Sequence, residues 1–238
     1  ALDLLPLVCS LAIIGIIYGA LVSMMQPDLK RLVAFSSVSH LGYVMLGMFA
    51  LNTQGVQGSI YQMLNHGIST GSLFLIVGMV YERRHTRMIS EFGGLSRVMP
   101  VFAIFFMIVT LSSIGLPWTN GFVGEFLILL GAFQANAVYG VFAASGVILG
   151  AAYMLWMFQR VMFGKVTNPK NEELKDLSAR EITVLVPMVI MIFLMGIYPK
   201  IFFSKMDVTV EKFLKDFKGR VEMKADAPAP RMTAEVKK

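Results

Sequence analysis

Charge is nearly absent from two long stretches of this sequence. From Ala1 to Tyr81 the only Asp, Glu, Lys or Arg residues are Asp3, Asp28, Lys30 and Arg31, and from Met99 to Gln159 Glu125 stands alone. Soluble domains carry roughly 25% charged residues, whereas this chain has 15% charged against 56% hydrophobic. Too little polar surface remains to coat a globule, so the solvent for most of the chain is lipid. The net charge of +6 is then no footprint for nucleic acid. Ten of the 21 Lys and Arg residues follow Pro199, and the rest cluster in short connections, where basic residues report orientation and headgroup contact. The single cysteine, Cys9, sits in an apolar run and reads as packing.

A span needs about 20 apolar residues. Leu4 to Met25 is the first, longer than a signal-peptide core and with no basic segment before it, so a fragment beginning partway through a larger protein is expected. Pro27 and Asp28 open a second helix reaching about Leu51. After a turn at Asn52 to Gly55, a third span runs from about Val56 to Tyr81, followed by the basic connection Glu82 to Arg97. Pro100 to Ala135 is apolar but interrupted between Gly115 and Gly121. As one helix it would be about 54 Å long, too much for a ~30 Å core. It is either a hairpin of two short helices or one span broken in the middle, and periodicity does not choose. A fifth span covers about Val138 to Met162, and the last runs from about Glu181 to Tyr198. Val208 to Phe217 alternates apolar and charged residues as an interfacial amphipathic helix does. Lys218 to Lys238, with two prolines, reads as disordered.

Orientation depends on that interruption. If it is one broken span, 11 Lys and Arg fall on one face in three basic connections, and the two short loops opposite are uncharged. A hairpin would move the Arg160–Arg180 loop to the other side.

Three ionisable side chains lie deep in these segments: His40 about 12 residues into the second helix, His66 about 10 into the third, and Glu125 about ten from the end of the interrupted stretch. A charge at such depth costs several kcal/mol unless hydrated or paired. Ser36, Ser37 and Ser39 surround His40 at helical spacing, as Gln62, Asn65, Ser69 and Thr70 surround His66. A neutral histidine can simply bridge two helices. A desolvated carboxyl is harder to explain by packing, and together the three make a proton relay conceivable. Gly115, Pro117, Gly121 and Gly124 unwind the helix within the bilayer. The freed backbone groups must face protein or water, as in the discontinuous helices of ion carriers. Lys30 and Arg31, near Asp28, read as headgroup anchors, with Lys30 a possible peripheral guide for protons. Tyr153 and Trp156 read as packing.

The run from Gln26 to Tyr43, QPDLKRLVAFSSVSHLGY, resembles the signature shared by antiporter-like subunits of respiratory complex I and multisubunit sodium/proton antiporters. His66-Gly67, Tyr81 to Arg87, and Gly115-Leu116-Pro117 followed by Gly121 to Phe126 resemble the M-type (mitochondrial subunit 4) branch. Glu125 discriminates, since lysine is usual at that point in the L- and N-type branches and the antiporters. The resemblance covers about residues 4 to 205. It implies an all-α polytopic membrane fold of about six transmembrane helices here, one broken mid-membrane, plus a C-terminal lateral helix. By it, residues 1–162 form the second of two inverted five-helix repeats, with the broken helix at about 100–135. Residues 163–198 form a polar loop and the last span, and residues 199–238 the lateral helix and tail. The basic loops would face the cytoplasm or matrix.

The resemblance further implies proton translocation coupled to quinone reduction elsewhere in an NADH:quinone oxidoreductase, with Glu125 in the exit half-channel and His40 and His66 in a central hydrophilic axis. The first-repeat glutamate–lysine pair and the lysine of the preceding span have no counterpart here, so this chain would not pump alone. No cofactor is expected in it; NADH, FMN, iron–sulfur clusters and quinone would belong to partner subunits. Expected partners are L- and N-type antiporter-like neighbours, the lipid bilayer and protons, in an energy-transducing membrane such as the bacterial plasma membrane. The rivals are a cation/proton antiporter subunit, a hydrogenase-linked pump, and a scaffold whose polar residues serve only helix packing.

Overall fold

The computed structural model describes residues 2–225, and its regular elements there are all helical. Helix α1 spans Leu5–Met24, α2 Leu29–Phe49 and α3 Thr53–Arg84, with a four-residue α4 at Leu95–Val98. Then come α5 (Pro100–Ser113), α6 (Asn120–Ala135), α7 (Ala137–Met162), α8 (Ala179–Ile197) and α9 (Lys200–Ala225). Five of these, α1, α2, α3, α7 and α8, are long and apolar enough to cross a membrane, and α5 and α6 are shorter apolar helices.

Local chemistry sets the ends. Asp28 caps α2, accepting from Arg31 N at 3.0 Å, and Asn52 caps α3, accepting from Gly55 N at 2.8 Å. Such caps are each worth about 1 kcal/mol. The Asn52 cap starts α3 at Thr53, so the turn is shorter than expected from Asn52 to Gly55. Ser178 and Glu181 form a reciprocal capping box at the start of α8.

Polar contacts at the two ends of α3 decide between hairpin and broken span. At one end, the Arg83 guanidinium donates to the Asp176 carbonyl, and the Asp176 carboxylate accepts from Val101 N and Phe102 N at 2.8 and 3.0 Å. At the other end, Asn52 Nδ2 donates to Gly131 O at 2.7 Å. So α5 begins beside the last turn of α3 and α6 finishes beside its first. The two short helices make a single broken crossing, and with α1, α2, α3, α7 and α8 they give six transmembrane segments.

The break is dictated by three residues. Pro117 has no N–H to continue the helix. Gly115 takes a left-handed φ of +73°, which a side chain resists. Trp118 adopts φ of 72° as well, a conformation its sequence did not announce.

Two apolar cores flank the mid-membrane level. The one toward the basic loops gathers Leu32, Leu73, Phe102, Phe106, Phe158 and Leu185, and buries Tyr153. The other holds Cys9, Ile16, Tyr43, Leu46, Ile128 and Ala143. The loops between are knitted by charge. Arg83 pairs bidentately with Glu181 at 2.5 and 2.7 Å, Arg84 bonds Asn171, and Arg87 pairs with Asp28 at 3.3 Å. The Glu82–Arg87 segment thus binds protein through its arginines.

The tail departs from expectation. Helix α9 runs well beyond Val208–Phe217, and residues 218–225 are helical rather than disordered; residues 226–238 lie outside the described part. Val210 and Leu214 pack on Val56, and Gln57 Nε2 donates to Asp207 at 2.8 Å, laying α9 across the first turns of α3.

Candidate functional site

Polar side chains from α2, α3, α5 and α6 converge between the two apolar cores. Glu125, one turn and a half into α6, is 6% exposed. Its Oε1 lies 3.0 Å from His40 Nδ1 on α2 and accepts from Gln62 Nε2 on α3 at 3.1 Å. The His40 and His66 rings stand 5.6 Å apart between centroids, and Thr70 Oγ1 lies 3.0 Å from His66 Nδ1. Glu125, His40 and His66 are therefore one cluster, although 85 residues separate the first two in sequence.

Glycines make this approach possible. A Cβ on Gly124 would overlap Gln62 Oε1 and come within 2.7 Å of Asn65 Nδ2, so only glycine lets α3 reach the carboxyl. A Cβ on Gly115 would stand 3.0 Å from Glu125 Oε2, and one on Gly121 would strike the Ser112 carbonyl. Gly121 and Gly124, expected in the break, lie instead within the first turns of α6 and, with Gly115, provide the close approaches around the carboxyl. Pro117 faces outward.

A hydrogen-bonded chain crosses the break. Asn65 Nδ2 donates to Asn120 O at 2.7 Å and to Gln62 Oε1 at 3.2 Å. Asn120 Oδ1 accepts from Ser112 Oγ at 2.5 Å, and Ser69 Oγ lies 2.8 Å from Ser112 Oγ. The last turn of α5 and the first turn of α6 are held to α3 through these amides and hydroxyls. The network is not complete: Asn65 Oδ1 is buried without a hydrogen-bond partner, and an orphan of this kind is costly. Asn120, Ser112 and Ser113 were not singled out in the sequence; polar residues immediately flanking a glycine–proline break were the available signal.

Other expectations are redistributed. The Ser36 and Ser37 hydroxyls donate to Val33 O, and Ser39 donates to Ile16 O, so none of them serves His40. Of the polar group assigned to His66 only Thr70 bonds it; Gln62, Asn65 and Ser69 face Glu125 and Asn120. Lys30 is exposed in the first turn of α2, ten residues or about 15 Å of helix from His40, and takes no part in the cluster. Among the described residues no group of three or more His, Cys, Asp or Glu could hold a metal ion.

What the arrangement can do follows from its donors. In the low dielectric of a membrane interior an unpaired carboxylate is expensive, and a hydrogen-bonded imidazole partner relieves that cost. A carboxyl and an imidazole at 3.0 Å are within hydrogen-bond distance, the geometry a proton needs to pass from one to the other.

Residues 2–150 match the family described as NADH:quinone oxidoreductase/Mrp antiporter, TM. The chain belongs to that family. Within it, the chain is 45% identical over 219 residues to NADH-quinone oxidoreductase subunit M of Rhodobacter capsulatus, covering 92% of this chain and 43% of that protein. It is 43% identical over 210 residues to NADH-ubiquinone oxidoreductase chain 4 of Marchantia polymorpha, covering 88% and 42%. The chain spans less than half the length of these antiporter-family relatives. Among solved structures, a chain of respiratory complex I from Thermus thermophilus superposes with a TM-score of 0.84 at 35% identity, over 90% of this chain and 45% of that one.

Proposed function

We propose that this chain is part of a proton-translocating, antiporter-like subunit in the membrane arm of an NADH:quinone oxidoreductase. The observation that carries the proposal is the Glu125 carboxyl, hydrogen-bonded to His40 at 3.0 Å beside an unwound stretch of backbone at mid-membrane depth. The subunit names of the relatives support it, as does the likeness to a complex I chain.

In this reading α1, α2, α3, α5–α6 and α7, within residues 1–162, form one five-helix repeat of a longer protein. Protons pass by His66 and His40 to Glu125. A nearby positive charge favours the carboxylate and a negative one the acid, so Glu125 loads and unloads as charges change in neighbouring segments. Oxidation of NADH and reduction of quinone, with the cofactors they require, take place in partner subunits. L- and N-type antiporter-like subunits flank this one, and the membrane is an energy-transducing one, the plasma membrane in a bacterium. Lys30 anchors the basic face to headgroups. A cation/proton antiporter subunit would share the fold, but identities of 45% and 43% to complex I subunits favour the oxidoreductase.

The test is Glu125→Gln in the full-length protein within its assembled complex. NADH oxidation and assembly are expected to persist while pumped protons per electron fall. An unchanged ratio would refute the assignment.

A further inference from the structure

Two amides connect the backbone at the break to the carboxyl. Asn65 Nδ2 donates to Asn120 O at 2.7 Å and to Gln62 Oε1 at 3.2 Å. Gln62 Nε2 in turn donates to Glu125 Oε1 at 3.1 Å. Asn120 is the first residue of α6, so its carbonyl marks where helix resumes after the break.

The direction of this chain is not free. A carbonyl oxygen only accepts, so Asn120 O requires the nitrogen of Asn65 to face it. The second hydrogen of that nitrogen then requires the oxygen of Gln62, and Gln62 must point its own nitrogen at Glu125. A donor at a carboxyl stabilises the ionised form.

The order has a cost. Asn65 is 1% exposed, and its Oδ1 is buried with no hydrogen-bond partner, a loss of about 1–3 kcal/mol. Turning both amides over removes the orphan. Asn65 Oδ1 would then accept from Gln62 Nε2, and Gln62 Oε1 would face Glu125, which can satisfy it only by carrying a proton. The two ends of an amide are close in size, so both turns fit the same space. What prevents them is Asn120 O, an acceptor that would then meet Asn65 Oδ1.

We infer that Gln62 and Asn65 form an oriented amide relay through which the position of the Asn120 carbonyl sets whether Glu125 holds a proton. The inference deepens the proposed function and rests on it. With the carbonyl in place, Gln62 donates and the carboxyl is ionised. When the start of α6 shifts and withdraws the carbonyl, both amides turn and Gln62 accepts. The proton comes from His40, whose Nδ1 lies 3.0 Å from Glu125 Oε1. The Nδ1–H bond of protonated His40 breaks as an O–H bond forms on Glu125, and that O–H donates to Gln62 Oε1. Gln62 and Asn65 are positioning residues, because neither takes up the proton.

The experiment is infrared difference spectroscopy on NADH addition, with pumping measured in parallel, on the full-length subunit in its assembled complex. The parent carries a heavy-isotope label at the glutamine side-chain carbonyl. One label-shifted amide band is expected to change on turnover together with the Glu125 carboxyl band, and both should be absent from Glu125→Gln. Gln62→Met removes the last member of the relay at similar side-chain length. Asn65→Leu cuts the relay one residue earlier and leaves Gln62 and His40 beside Glu125. Each is expected to lose the carboxyl difference band although Glu125 is present, and to lower protons pumped per electron to the level of Glu125→Gln. A merely structural role would lower the thermal midpoint and keep the carboxyl band, and a band kept in either variant overturns the inference. Parent-like pumping in either variant while Glu125→Gln is impaired also overturns it, and leaves the proposed function standing. A parent spectrum in which the carboxyl band changes without a glutamine band overturns it too, whether or not the variants assemble. Parent-like pumping in Glu125→Gln refutes the proposed function itself.

Discussion

Helix α7 and the α5–α6 pair cross the same bilayer side by side, and they are built to opposite ends. Helix α7 runs unbroken for 26 residues. Its Ser145 faces outward and returns its hydroxyl to Phe142 O at 2.6 Å, and its Tyr153 is sunk in an apolar core. The neighbouring crossing is cut between Ser113 and Asn120, and buries Thr110, Ser112, Ser113, Asn120 and Glu125. Continuous helix satisfies its own backbone and needs nothing from its neighbours. Broken helix exposes backbone and polar side chains that α2 and α3 must satisfy, so the break and the polar layer stand or fall together.

Substitutions that make the broken crossing more like α7 should show this. The largest effect is expected from Gly115→Val, which puts a β-branched residue at a φ of +73° with its Cβ against Glu125 Oε2. A loss of about 3 kcal/mol or more is expected, read as a lower thermal midpoint of the purified complex, with pumping lost in whatever assembles. Next comes the double change of His40 and His66 to Gln, which keeps hydrogen bonding but removes titration. Pumping should fall to the level of Glu125→Gln with the fold little disturbed. Intact coupling in that double variant would favour a scaffold whose polar residues only pack helices. Gly124→Ala should act more mildly, forcing Gln62 and Asn65 away from the carboxyl at about 1–3 kcal/mol, seen as a partial loss of both stability and pumping. The smallest effect belongs to α7 itself. A Cβ on Gly150 meets nothing within 4 Å, so Gly150→Ala should leave pumping unchanged and stabilise the helix by at most about 1 kcal/mol.

The same contrast explains what could be read from the chain alone. Crossings such as α1, α2 and α7 were legible because length and lack of charge suffice to mark a span. That His40, His66 and Glu125 share a level was legible too, by counting residues along each helix, and the three do cluster. Which way α6 travels was not, since a hairpin and a broken span have the same composition. It takes Asn52 on Gly131 and Asp176 on Val101, contacts across 79 and 75 residues, to separate them. Nor could spacing assign partners. Ser36 and Ser39 sit near His40 by register, yet serine in a membrane helix satisfies its hydroxyl on a nearby carbonyl, and both do so. Asn120 went unnoticed because its partners, Ser69 and Ser112, come from α3 and α5. In the tail, alternation marked the Val208–Phe217 face, but not that α9 continues as helix to Ala225.

The central claim is that Glu125 holds a proton that moves. Infrared difference spectra of the full-length complex, recorded before and after NADH addition, read this directly through the carboxyl C=O stretch. A protonated-carboxyl band that changes on turnover in the parent, and is missing in Glu125→Gln, is the expected result. Spectra in which the parent and Glu125→Gln are identical throughout turnover would contradict it.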